Sequence, residues 1–152
     1  PWYYEMADLG FNYRAPDIVC ALGLSQLAKL DRFVSARARL VARYDAALAG
    51  LAPRVRPLGR VPGCRPAWHL YVVRVDFAAL GRSRAWLMRE LAARGVGTQV
   101  HYLPLPRHPF HAAPALPGAE AYYQSCLSLP LFPAMAESDV DRVAAALADL
   151  LG

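Results

Sequence analysis

Between Leu27 and Leu48 the apolar residues Leu27, Leu30, Val34, Val41, Tyr44 and Leu48 recur at steps of three, four and seven. That is the repeat of one helix face, and Arg32, Arg37, Arg39 and Arg43 fall opposite it. The spacing predicts one long helix, with Gly50 as its stop. A helical start is expected upstream. Ala15 is restrained to extended backbone by Pro16, while Pro16 suits a first turn and Asp17 complements the positive end of the helix dipole.

Beyond Gly50 the signals change. Ala52 to Ala67 carries four prolines and two glycines and reads as a loop. Trp68 to Asp76, WHLYVVRVD, is aromatic and β-branched and reads as a strand. Ser83 is a candidate N-cap for a helix burying Trp86, Leu87 and Leu91, stopped by Gly95. Thr98 to Tyr102 reads as a second strand, Gly118 to Tyr123 as a short helix, and Cys126 to Leu129 as a third strand. Ser138 with Asp141 resembles a capping box opening a last helix, whose Val140, Val143, Leu147 and Leu150 share a face. The expected class is α/β: a long helix plus a small sheet of about three strands with packed helices.

Composition narrows the function. With 56% hydrophobic residues among 152, the chain can bury a core, and no apolar run reaches the roughly 20 residues of a membrane-spanning helix. The net charge of +5 is nearly all arginine, but the arginines are scattered, so neither a nucleic-acid partner nor a membrane is expected. The opening Pro1 to Glu5 lacks the basic and apolar segments of a signal peptide, and without a leading methionine the chain is expected to start within a longer protein. Three widely spaced cysteines, Cys20, Cys64 and Cys126, fit neither a disulfide framework nor a zinc ribbon and read as reduced cytosolic thiols.

Candidate chemistry concentrates in two places. Asn12, Tyr13 and Arg14 precede a helix N-terminus, where free N–H groups favour anions; the amide and guanidinium suit a phosphate monoester, or else simply cap a turn. In Thr98 to Tyr102, alternation puts Gln99 and His101 on one face, and the strand ends at Pro104. A histidine there either donates to a ligand or is satisfied structurally. His108 and His111 lie among prolines without a third ligand, so no metal is expected, and His69 inside an apolar strand reads as a core or interface residue. No G-x-S-x-G elbow or P-loop occurs, and Glu120 reads as a first-turn helix acid.

The segments GFNYR at 10–14, ALGLSQL at 21–27, WHLY at 68–71, QVHY at 99–102 and SLP at 128–130 resemble, in order, the DegT/DnrJ/EryC1/StrS sugar aminotransferases. The opening WYYE and the QVHY form look most like the branch acting in pseudaminic acid synthesis. The resemblance implies the C-terminal small domain of a fold-type I enzyme dependent on pyridoxal 5'-phosphate (PLP). It implies a cytoplasmic homodimer moving an amino group from glutamate to C4 of a UDP-linked 4-keto-6-deoxy sugar for surface glycan synthesis. It further implies that Asn12, with Arg14, contacts the cofactor phosphate, and that His101 and Tyr102 face the nucleotide-linked keto sugar.

The chain departs from that pattern in one respect. The family's Schiff-base lysine belongs to a large N-terminal domain, whereas Lys29, the chain's only lysine, sits between Ala28 and Leu30 with no family counterpart in catalysis. Residues 1–50 are therefore expected to form a linker and long helix, and residues 51–152 the small α/β domain, with the PLP-lysine domain absent. No catalytic residue is assigned, and the chain is expected to be inactive alone. A non-catalytic module binding a nucleotide-sugar or a partner, or part of a GDP-perosamine-type aminotransferase, are the alternatives.

Overall fold

The computed structural model describes residues 9–11, 13–111 and 113–151. The chain divides into two compact units, Pro1–Arg32 and Phe33–Gly152. In the first, α1 spans Asp17–Leu27; Pro16 precedes it in extended backbone, and no side chain caps its N-terminus. Asp17 occupies its first turn, and none of its residues is buried.

After a turn at Ala28 and Lys29, α2 runs from Leu30 to Leu48. The expected stripe is observed where it enters the second unit, with Leu40, Val41, Tyr44 and Leu48 buried. The helix ends just before Gly50, in a 3-10 turn over Ala49–Leu51. The segment read as a loop then supplies the first strand, β1 (Val55–Pro57). It is only three residues long and lies at the sheet edge, where Pro57 is tolerated because an edge residue need not donate to a ladder.

The central strand β2 spans Tyr71–Val75, and the third, β3, Cys126–Leu129. Both pairings are antiparallel, in the order β1-β2-β3, with Val55 opposite Val75 and Tyr71 opposite Leu129. The expected strand at Thr98 to Tyr102 is reduced to one bridge, in which Gln99 and Ser128 exchange backbone hydrogen bonds of 3.2 and 2.8 Å across the outer edge of β3. His69, read as a core or interface residue, precedes β2 and is exposed, which corrects the core alternative.

Between the strands the caps decide the boundaries. Asp76 Oδ1 accepts the N–H of Ala79 and opens a one-turn helix, α3 (Phe77–Leu80), closed by Gly81 at φ 61°. Ser83 accepts the N–H of Trp86 at 3.1 Å, as expected, and opens α4 (Arg84–Ala93). Gly95, at φ 73°, takes the left-handed backbone that ends it. Helix α5 covers Pro117–Ser125, and α6 Glu137–Leu151. The last begins before Ser138: Asp139 Oδ2 accepts the N–H of Ala136 at 2.9 Å, so the acid three residues along caps the start in place of the expected Ser138 box.

The core lies on one face of the sheet. Val55, Tyr71, Val73, Val75, Leu127 and Leu129 point there by two-residue alternation and join Leu87 and Leu91 of α4 and Val140, Val143 and Leu147 of α6. Tyr44 stacks on Tyr71 at 4.5 Å and donates its hydroxyl to the Pro130 carbonyl at 2.9 Å. The Tyr71 hydroxyl donates to Asp45, which also pairs with Arg60. Burial pushes both phenol pKa values above the ordinary range, so both remain donors throughout neutral pH.

Candidate functional site

The opposite sheet face is polar and is crossed by α5. Alternation places Arg74 and Val72 of β2, and Cys126 and Ser128 of β3, on this face. Ser128 is 5% exposed and stands in an otherwise apolar strand, so its hydroxyl needs a partner. That partner is His101: Nδ1 and Ser128 Oγ share a hydrogen bond of 2.8 Å. The His101 carbonyl accepts the Tyr122 hydroxyl of α5 at 2.9 Å. The half-buried imidazole is thus held from β3 through Nδ1, and the His101 backbone from α5.

Tyr102 lies edge-on to the imidazole, with ring centroids 4.7 Å apart and planes at 86°. It is 70% exposed. The structure therefore brings His101 and Tyr102 together at the outer margin of the sheet, one fixed and one open to solvent. A fixed imidazole beside an exposed phenol can bond hydroxyl or phosphate oxygens and offer an aromatic edge. Sequence reading missed Ser128 and Tyr122 as the groups that hold His101. The legible signal was a serine inside Cys126-Leu127-Ser128-Leu129.

Arg107 and Arg84 both pack on Tyr123 of α5. Both guanidinium groups lie against the Tyr123 ring, at 5.0 and 4.6 Å from its centroid. Arg107 is bound to Glu120 through two hydrogen bonds, and Arg84 donates to the Tyr123 and Cys126 carbonyls. Glu120 is thereby committed to a salt bridge. Burial raises the Cys126 thiol pKa, which keeps it protonated and unreactive.

In the first unit, Arg14 is exposed in the stretch before α1, close in sequence to uncapped helix N–H groups. Asn12 lies outside the described residues. Lys29 sits in the turn after α1, its N–H bonded to the Gln26 carbonyl. Among the described residues no group of three or more His, Cys, Asp or Glu side chains could hold a metal ion, and no helix is long and apolar enough to cross a membrane.

Residues 1–148 match the DegT/DnrJ/EryC1/StrS aminotransferase family. The chain belongs to that family. It is 36% identical, over 99% of its length, to the spore coat polysaccharide biosynthesis protein SpsC of Bacillus subtilis, of which it covers 40%. Among solved structures it is similar to PseC of Helicobacter pylori, an aminotransferase of pseudaminic acid biosynthesis, with a TM-score of 0.87 at 25% identity. That match covers 99% of this chain and 41% of PseC. It is also similar to the PLP form of the sugar aminotransferase Spr1654 of Streptococcus pneumoniae, with a TM-score of 0.83 at 28% identity over 100% of this chain and 41% of that one. The chain thus spans about two fifths of the relatives it matches. Its fold is the α/β arrangement of the small domain of fold-type I aminotransferases, and members of the DegT/DnrJ/EryC1/StrS family depend on PLP.

Proposed function

We propose that this chain is the C-terminal part of a sugar-nucleotide aminotransferase and supplies its nucleotide-sugar contacts. The proposed whole protein is a cytoplasmic homodimer that moves an amino group from glutamate to C4 of a UDP-linked 4-keto-6-deoxy sugar. The observation that carries this reading is the His101–Tyr102 pair, its imidazole fixed through Ser128, within a chain that matches the family along nearly its whole length.

In this reading His101, with Nδ1 engaged by Ser128, presents Nε2 to a sugar or diphosphate oxygen. Tyr102 adds an exposed phenol and ring face beside it. Arg14, beside the uncapped N-terminus of α1, fits the phosphate end of PLP, with Asn12 as its companion. The carbonyl end of the cofactor finds no fit, because Lys29 occupies an interhelical turn as the chain's only lysine. PLP, when bound in such an enzyme, supplies the electron sink for amino transfer. These residues bind and orient, and the amine centre belongs to chain outside this sequence.

The test uses PLP and borohydride with the 152-residue chain, followed by peptide mass spectrometry. No stoichiometric adduct at Lys29 and no glutamate-dependent amination of a UDP-4-keto sugar are expected. An adduct at Lys29 accompanied by turnover would overturn the reading.

A further inference from the structure

The polar sheet face carries a second feature that the His101 edge does not use. Arg56 of β1 and Arg74 of β2 are direct cross-strand partners. Their Cβ atoms therefore stand about 5 Å apart on one face, where like charges opposite one another are destabilising. Among the described residues neither guanidinium has a carboxylate within ion-pairing distance. Both side chains line a cleft of about 310 Å³ with Asp76, Gln124 and Ser125.

The cleft holds one of the two arginines in place. Arg74 Nε donates to Ser125 Oγ at 2.9 Å, and that hydroxyl donates in turn to the Ala121 carbonyl at 2.9 Å. Nε is thus spent on orientation, and the two Nη groups are left for another acceptor. Asp76, the acid in the cleft, uses Oδ1 to cap α3 through the Ala79 N–H. Gln124 adds an amide donor at the wall.

Two cross-strand arginines with no ion-paired carboxylate among the described residues, one of them held by Ser125, line a cleft that also carries the Gln124 amide and the Asp76 carboxylate committed through Oδ1 to the α3 cap. Their free N–H groups suit phosphate oxygens. We propose that Arg56 and Arg74 form a phosphate-binding site on the polar face of the sheet, taking a phosphate group that is free or the end of a small ester. The site lies wholly within the second unit and does not rest on the function proposed above. Binding neutralises the repulsion between the two arginines, so occupancy stabilises the fold.

The experiment is calorimetric titration and thermal unfolding of the chain with inorganic phosphate and with methyl phosphate, against chloride at equal ionic strength. Saturable binding at millimolar phosphate and a raised melting temperature are expected. Arg56→Gln and Arg74→Gln should each weaken binding about tenfold or more. Without phosphate, Arg56→Gln should melt no lower than the parent, which separates loss of the site from loss of the fold. Equal affinity for methyl phosphate identifies an ester end, and preference for inorganic phosphate identifies the free ion. No saturable binding, or binding unchanged in both variants, would overturn the proposal.

Discussion

His101 Nδ1 lies 2.8 Å from Ser128 Oγ, tying the segment after Gln99 to the edge of β3 through a side chain as well as through the Gln99–Ser128 backbone bridge. The same serine therefore sets the backbone register of the edge and the orientation of the imidazole. The candidate site is built against the edge strand β3, with its ligand-facing group two residues beyond the single Gln99–Ser128 bridge.

Removing that hydroxyl should loosen the imidazole and leave the sheet standing. Ser128→Ala is expected to cost about 1 kcal/mol of stability and to weaken UDP-sugar binding several-fold. Urea unfolding and calorimetry read the two effects, and Ser128→Thr, which keeps the hydroxyl, should restore part of the binding. Unchanged affinity in Ser128→Ala would separate Ser128 from the site.

Tyr44 tests the core. Its hydroxyl is buried and donates to the Pro130 carbonyl. Tyr44→Phe leaves that carbonyl without its donor and should lower stability by about 1–3 kcal/mol in urea unfolding. Leu147→Ala, a fully buried truncation, should cost about 2–5 kcal/mol.

The acid limb of stability should contain a contribution from Asp141. Its carboxyl pKa is held below the ordinary 3.8, chiefly by hydrogen bonds from Arg43 Nε and Nη2 at 2.6 and 2.8 Å. The unfolded chain then binds more protons than the folded one in this window, so stability rises with pH through it. The contribution is present above the ordinary carboxylate range and is lost as pH falls through the lowered folded value. The pair is exposed, so the effect is small and salt-sensitive. Asp141→Asn should flatten the unfolding profile below the ordinary carboxylate range while leaving the core transition cooperative.

The three thiols should separate by exposure. Cys20 and Cys64 are exposed, whereas Cys126 is buried with a raised pKa. Iodoacetamide at mildly alkaline pH should label the first two quickly and Cys126 only on unfolding. Mass spectrometry of the labelled peptides reads this directly.

Much of the fold was legible because the signals were local. The α2 stripe, the Ser83 cap, the Gly95 stop and the apolar β3 each rest on residues within a few positions of one another. What escaped depended on distant partners. β1 exists because Val55 pairs with Val75, a contact its proline-rich surroundings do not advertise. Thr98 to Tyr102 has strand-like residues, yet pairs only at Gln99. The start of α6 was misplaced because a serine at 138 looked like a cap, whereas Asp139 reaches back to Ala136. The same division holds for the site: His101 and Tyr102 stood out as polar and aromatic residues at a strand end, while Ser128 gains its role from 27 residues away.

The central claim is that the His101–Tyr102 edge receives the nucleotide-linked sugar, and NMR titration of the chain with a UDP-linked sugar tests it most directly. The account predicts saturable shifts at the His101 imidazole and Tyr102 ring that vanish in His101→Ala. Shifts confined to other residues, or binding undiminished in that variant, would contradict it.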